Sequence, residues 1–237
     1  MKATVLIPAA GTGRRMGTGI SKQYLNLAGM PILAHTLRLF DNHPLIEHIY
    51  PIIALEEIPY CQQQIIERYG IRKVVRLVPG GAARQDSVRN GLLAVAEDGH
   101  AQPQRPILIH DGARPLFDVG LLHELLEIVR ERGACIVGVP VKDTIKTVVA
   151  GRIDASPDRQ RLWQAQTPQG FQYRLIRDAS DRAVADQFAA TDDASLLERI
   201  GGTIEVLEGD YRNIKVTTPE DLIIATALLD SMREESA

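Results

Sequence analysis

Short, almost wholly apolar runs alternate with longer segments of helical periodicity along most of this chain, and no other feature restricts the fold as much. Val5-Leu6-Ile7, the run from His48 to Leu55, residues 74–78, Ile107-Leu108-Ile109 and Ile136-Val137-Gly138-Val139 read as strands. Strands without a polar face belong to a mostly parallel sheet covered on both sides. Pro51 weakens its strand locally, because proline cannot donate to a ladder. The intervening helices are expected over 31–40, which begins at a proline suited to a first helical position, and over 58–69, 84–97 and 119–131. Val88, Leu92 and Val95 line one stripe of the third, and Leu122, Leu125, Leu126 and Val129 one stripe of the fourth. Thr218-Pro219-Glu220-Asp221 marks another helix start, with a hydroxyl cap, proline at the first position and acids in the first turn. The order βαβα implies a doubly wound α/β fold, and nothing along residues 1–237 reads as an interdomain linker, so a single domain is expected.

The rhythm breaks over 141–170. Thr144 to Val149, Gly151-Arg152-Ile153 and Arg161 to Gln166 look like short strands joined by turns, too few to make a core of their own. They read as an inserted β-arm whose exposed edges need a cover, and a second subunit is one such cover. Trp163 would either anchor that interface or pack on its own domain.

Composition excludes little, but it does narrow the partners. The chain has 237 residues, and a net charge of −3 gives no reason to expect nucleic acid or a membrane surface. The N-terminus enters the first strand without a signal-like leader, and no apolar run approaches spanning length. The two cysteines, Cys61 and Cys135, cannot form a disulfide framework; Cys135 lies in an apolar run, as buried thiols do. A cytoplasmic, reducing setting is expected.

Three segments carry chemistry. The first strand runs into Pro8-Ala9-Ala10-Gly11-Thr12-Gly13-Arg14-Arg15-Met16-Gly17, followed by Ser21-Lys22-Gln23-Tyr24-Leu25. Small residues let backbone amides approach phosphate oxygens. The glycine spacing is not that of a dinucleotide fingerprint, and Gly-Lys-Ser/Thr of a Walker loop is absent. Two cations, Arg15 and Lys22, accompany the loop; a guanidinium and an ammonium beside free amides suit a phosphate chain. A tight strand-to-helix turn with solvated charges is the plain alternative. The second segment, Pro79-Gly80-Gly81-Ala82-Ala83-Arg84-Gln85-Asp86-Ser87, should lie at the carboxyl end of a strand, where open α/β sheets bind ligands. It is equally readable as a helix start capped by Asp86 or Ser87. In the third, His110-Asp111-Gly112-Ala113-Arg114-Pro115, an acid directly follows a strand and can hold Mg²⁺ among phosphates. The alternatives are a capping role for Asp111, an ion pair between Asp111 and Arg114, and a structural His110.

These segments resemble those of the 2-C-methyl-D-erythritol 4-phosphate cytidylyltransferase family. So do Pro140-Val141-Lys142-Asp143-Thr144, Leu162-Trp163 with Gln166-Thr167-Pro168-Gln169, Thr191-Asp192-Asp193-Ala194, and the run from Asn213 to Leu222. The resemblance runs in order over nearly the whole chain and implies a Rossmann-like nucleotidyltransferase. It implies that Arg15 and Lys22 stabilise charge on the triphosphate of CTP. Ala9, Ala10, Gly11, Thr12, Gly13, Gly81 and Ser87 would line the nucleotide site, with Asp111 beside nucleotide and metal. The arm would cross between two subunits of a homodimer, so that Thr144, Arg159 and Thr167 grip the sugar phosphate in the partner's site. Arg114, Thr191 and Lys215 would complete the acceptor pocket. Two departures stand out: Gly112 where the family usually has Ala, and Ala82 where it commonly has an acid. Within the same fold, an acceptor such as ribitol 5-phosphate is the nearest rival reading. Outside it, the rivals are a nucleotide-binding regulator without catalysis and a purely structural α/β protein.

Overall fold

Ala3, Val5 and Ile7 alternate with Leu6 along the first strand, the first three packed into one apolar cluster and Leu6 into another. This period-two division, expected of a strand buried on both faces, sets the layers of the whole molecule. The structure is a computed structural model and describes residues 2–11 and 21–235. Its strands are β1 (Ala3–Pro8), β2 (Asn26–Leu27), β3 (Met30–Pro31), β4 (Ile46–Ile53), β5 (Val78–Pro79), β6 (Pro106–Ile109), β7 (Ala134–Pro140), β8 (Thr147–Val149), β9 (Arg152–Ala155), β10 (Trp163–Gln172) and β11 (Glu205–Glu208). Seven form the central sheet in the order β11-β7-β10-β6-β1-β4-β5. Within it β1 is parallel to β4 and β6, β4 to β5, and β11 to β7, while β10 alone runs antiparallel between β6 and β7.

Helices α1 (Ile32–Asp41), α2 (Ile58–Cys61, continued as a π-helical turn over Gln62–Glu67) and α4 (Leu122–Arg132) bury Leu33, Leu37, Cys61, Ile65, Leu125 and Val129 against one face of the sheet. On the opposite face lie α3 (Arg84–Glu97), α5 (Tyr173–Ala185) and α6 (Ala194–Arg199), with Val88, Leu92, Ile176 and Leu197 in the second cluster. The last helix, α7 (Pro219–Glu235), closes a smaller cluster of Leu27, Ile32, Leu116, Val216 and Ala225. Its start matches expectation: Thr218 N–H donates to Asp221 at 2.9 Å, and Asp221 N–H to the Thr218 hydroxyl at 3.3 Å.

Residues 74–78 make much less strand than expected: an isolated bridge at Val74 and the two residues of β5. Alternate residues of a strand bond to opposite neighbours. Ile49 accepts from Val75, and Ile53 from Gly80, both on the β5 side. Pro51, between them, meets that side without a donor, so the ladder lapses there. The arm expected over 141–170 also needs correction. Its last third is not peripheral: Trp163–Gln172 is an inner strand of the main sheet. The excursion is confined to 141–162, with β8 and β9 paired antiparallel about a turn at Ala150 and Gly151, both at positive φ. Every residue of β8 and β9 is exposed.

Helix α3 comes close to the sheet at Gly91, where an added Cβ would lie 2.8 Å from Ile52 Cδ1 and 3.2 Å from Leu6 Cδ1. Gly91→Val should therefore lower unfolding free energy by about 1–3 kcal/mol through overpacking. The midpoint of urea denaturation checks this; an unchanged midpoint would show that the helix–sheet spacing is adjustable.

Candidate active site

The chain leaves β1 toward β4 and β5 and returns on the other side of β1 as β6, so the carboxyl ends of β1 and β6 frame a topological switch point, where open α/β sheets bind ligands. Three loops meet there, and glycines set how closely. A Cβ at Gly80 would lie 2.4 Å from that of Ala10, and one at Gly112 would lie 2.8 Å from that of Ala9. The second loop is tied to the start of α3. Ser87 Oγ accepts from Gly81 N–H and donates to the Ala83 carbonyl, each at 3.0 Å, and Asp86 accepts from Ala83 N–H at 3.0 Å. Of the two capping candidates Asp86 makes the capping contact, while Ser87 ties the loop back onto the first turn of α3. The resulting cleft is lined by Ala9, Ala10, Gly11, Lys22, Gly81, Arg84, Ser87, Asp111 and Lys215, among others.

Asp111 is the centre of charge in this cleft. Its Oδ1 lies 3.2 Å from Arg84 Nε; its Oδ2 lies 2.7 Å from Lys215 Nζ and 3.7 Å from Arg114 Nε. Burial alone would raise its pKa, but Arg84, Lys215 and Arg114 together hold the carboxyl well below the usual carboxylate range. The expected Asp111–Arg114 pair is therefore present as one part of a larger cluster. Arg84 also reaches Asp193 Oδ2 at 2.7 Å, where a carboxylate only 1% exposed carries a pKa raised by burial and eased by that guanidinium.

His110 has the structural role expected of it. Its Nε2 bonds the Arg114 carbonyl at 2.9 Å, which makes Nε2 the protonated nitrogen and leaves Nδ1 to accept from the Thr167 hydroxyl at 3.1 Å. Thr167 Oγ1 in turn accepts from Asp111 N–H at 3.1 Å. Burial pushes the imidazole down to about 4, so it is neutral at pH 7 and fully committed. Thr167 is thus not on the arm. It stands in β10 beside the acid of its own chain, at the register shift between Ala165 and Gln169. A bulge frees it from the ladder, and its carbonyl accepts from Asn213 Nδ2 at 2.9 Å.

The remaining expected residues divide. Lys215 joins the cleft because Val216 N–H bonds the Ala113 carbonyl at 2.8 Å, and Arg114 Nη1 the Asn213 carbonyl at 2.6 Å. Thr191 is exposed two residues before Asp193. Thr144 and Arg159 are exposed on the arm, Arg159 bonding the Lys142 carbonyl at 3.0 Å; neither lines the cleft of its own chain. Thr12, Gly13 and Arg15 lie outside the described residues. Sequence reasoning missed Arg84 and Asp193 as site residues, although both sat inside quoted motifs. It also missed Gln169, whose Oε1 receives the N–H groups of Asp193 and Ala194 at 3.1 and 3.0 Å. No His/Cys/Asp/Glu cluster among the described residues could hold a metal alone. Asp111 suits a cation only if a ligand's phosphates share its coordination. Small-residue loops and converging cations suit phosphoryl or nucleotidyl transfer, and among the described residues the one imidazole beside the cleft is already committed.

Comparison with known proteins agrees. The family model described as 2-C-methyl-D-erythritol 4-phosphate cytidylyltransferase (IspD) matches residues 3–231. The protein of that name from Syntrophotalea carbinolica is 55% identical over 98% of this chain and 97% of its own length. That from Geobacter metallireducens is 50% identical over 97% and 98%. The crystal structure of the Francisella tularensis protein of that name matches with a TM-score of 0.82 at 31% identity, covering 96% of this chain and all of the other. A 4-diphosphocytidyl-2C-methyl-D-erythritol synthase structure from Anaerococcus prevotii gives 0.83 at 30%, covering 97% and 96%.

The buried His110 makes stability depend on pH. An unfolded chain takes up a proton near the ordinary value of 6.5, whereas the folded protein refuses it until about 4. Folding should thus lose roughly 3 kcal/mol from this group as pH falls from 6.5 to 4. Urea titrations across that range should show a shallower loss for His110→Gln, which keeps a donor toward the Arg114 carbonyl and does not titrate. Parallel curves for the two proteins would remove His110 as the source.

Proposed function

This chain belongs to the 2-C-methyl-D-erythritol 4-phosphate cytidylyltransferase family, and we propose that the cleft around Asp111 is where it works. The reaction transfers CMP from CTP to 2-C-methyl-D-erythritol 4-phosphate, giving 4-diphosphocytidyl-2-C-methyl-D-erythritol and pyrophosphate in non-mevalonate isoprenoid synthesis. A phosphate oxygen of the acceptor attacks the α-phosphorus of CTP, and the bond from that phosphorus to the bridging oxygen of pyrophosphate breaks. A phosphomonoester has a second pKa near ~6, so the nucleophile is already largely ionised at neutral pH. No general base is required, in keeping with the commitment of His110 to Arg114 and Thr167.

The obstacle is gathering anions and stabilising charge on the α-phosphate and the departing pyrophosphate. The observation that carries the reading is the convergence of Arg84, Arg114 and Lys215 on one acid between two small-residue loops, with Lys22 lining the same cleft. Lys22 and Arg15 take the triphosphate. Ala9 to Gly13 and Gly81 supply backbone to the nucleotide, and Ser87 holds the second loop in shape. Arg114, Thr167, Thr191 and Lys215 serve the acceptor side. Mg²⁺ is the expected cofactor: Asp111 would offer it a carboxylate, and the ion would supply neutralisation of phosphate charge.

Dimerisation through the arm has its support in exposed apolar surface. Val148, Val149 and Ile153 are 58, 65 and 66% exposed on a two-stranded hairpin, a structure of marginal stability by itself. Burying that surface on a second copy would carry Thr144 and Arg159 to the partner's acceptor site. Cytoplasmic residence fits two cysteines that are free and buried.

Purified protein with Mg²⁺ and CTP should release pyrophosphate with methylerythritol phosphate and not with ribitol 5-phosphate; the opposite preference would overturn the acceptor assignment. Lys22→Ala and Arg15→Ala should each lose about 10²–10³ in kcat while remaining folded; near-normal turnover would remove that residue from the site. Replacing both Val148 and Ile153 by Asp should yield monomers in light scattering and lower turnover at least tenfold. Unaltered mass and rate would reject the arm as the interface.

A further inference from the structure

Lys22 stands between two residues that share a single carboxylate. Ser21 Oγ donates to Glu57 Oε1, and Gln23 Nε2 donates to Glu57 Oε2 at 2.9 Å. Lys22 itself opens a one-turn 3₁₀ helix, Lys22–Tyr24, closed by Tyr24 N–H to the Ser21 carbonyl at 2.9 Å and Leu25 N–H to the Lys22 carbonyl at 3.2 Å. The bonds to Glu57 therefore grip this turn on both sides of the lysine. Gln23 is 2% exposed, which makes its bond the buried half of the grip. Below, Tyr24 packs edge-on against Tyr60 at the start of α2, with ring centroids 4.9 Å apart.

Glu57 is well placed for this. It ends a short 3₁₀ turn, Leu55–Glu57, that follows directly from the carboxyl end of β4, and its N–H bonds the Ala54 carbonyl at 2.9 Å. The sheet edge that presents the catalytic loops thus also presents the clamp. Only an ionised carboxylate offers two acceptor oxygens and no donor. An amide there would turn an N–H₂ toward either the Gln23 amide or the Ser21 hydroxyl.

We propose that Glu57 is a positioning residue for Lys22: by accepting from Ser21 and Gln23 together, it fixes the turn that aims the Lys22 ammonium at the nucleotide's phosphates. This rests on the assignment of Lys22 to the triphosphate given above. A lysine carried on an unfixed turn must be ordered at each encounter, and a small misplacement of a charge-stabilising group is costly to the rate.

The test is a double-mutant cycle on kcat/KM for CTP with Glu57→Gln, Lys22→Ala and the double variant, with folding followed by circular dichroism. Glu57→Gln should lose 10- to 100-fold, mainly in kcat, with KM for the acceptor within about twofold. In the Lys22→Ala background the same change should cost less than threefold, because nothing remains to be positioned. Losses that multiply in the double variant, or a Glu57→Gln enzyme within twofold of the unmodified one, overturn the proposal. A Lys22→Ala enzyme of normal rate would instead overturn the Lys22 assignment. Should Glu57→Gln fail to fold, Gln23→Met removes one arm of the grip with little change of volume and goes through the same cycle.

Discussion

Asp111 holds three cations that would otherwise repel one another across a narrow cleft: Arg84 from the start of α3, Arg114 from the turn after β6, and Lys215 from the segment before α7. Asp111 is buried and Arg114 nearly so, and removing either charge would strand the other away from water, whereas Arg84 and Lys215 keep part of their hydration. The cluster is therefore a structural junction that also keeps excess positive charge in the cleft, since the carboxylates of Asp111 and Asp193 do not balance three cations. That excess is what would draw a polyanion to the cleft under the function proposed above.

That junction depends on β10 running against its neighbours. An antiparallel strand between β6 and β7 brings residues from its early half to the carboxyl ends of the parallel strands. This is how Thr167, more than fifty residues after Asp111, comes to bond its N–H. The register shift beside Thr167 leaves its carbonyl to Asn213, and Asn213 leads directly to Lys215. Sheet topology, a bulge and a polar strap thus converge on the placement of one ammonium group.

Much of this could be read before any coordinates. The buried strands β1, β4, β6 and β7 and helices α1, α3 and α4 are strongly periodic, and each was expected near where it lies. What escaped had weaker local signals. β10 is polar for a buried strand, with Gln164, Gln166, Gln169 and Gln172 along it, so it looked like part of the arm. β11 alternates Glu205-Val206-Leu207-Glu208 too briefly to show a pattern. In the site, Lys215 came only with the family resemblance, whereas Asp111 was legible because an acid after a strand has obvious chemistry. Arg84 and Asp193 were not, because their meaning lies in a pairing across more than a hundred residues. Glu57 carries no motif at all, and only the folded chain brings it to Ser21 and Gln23.

The break that Pro51 makes in the ladder bears on how copies of this protein meet in a crowded solution. A sheet edge left long, flat and apolar recruits further strands and seeds aggregates. Here one edge is the two-residue β5, ending in Pro79, and the other is the four-residue β11, with a glutamate at each end. Both margins of the central sheet are thereby poor templates for strand addition. Among the described residues, the fully exposed β8–β9 hairpin offers extended backbone to another chain, and an association made there would leave the folded sheet untouched.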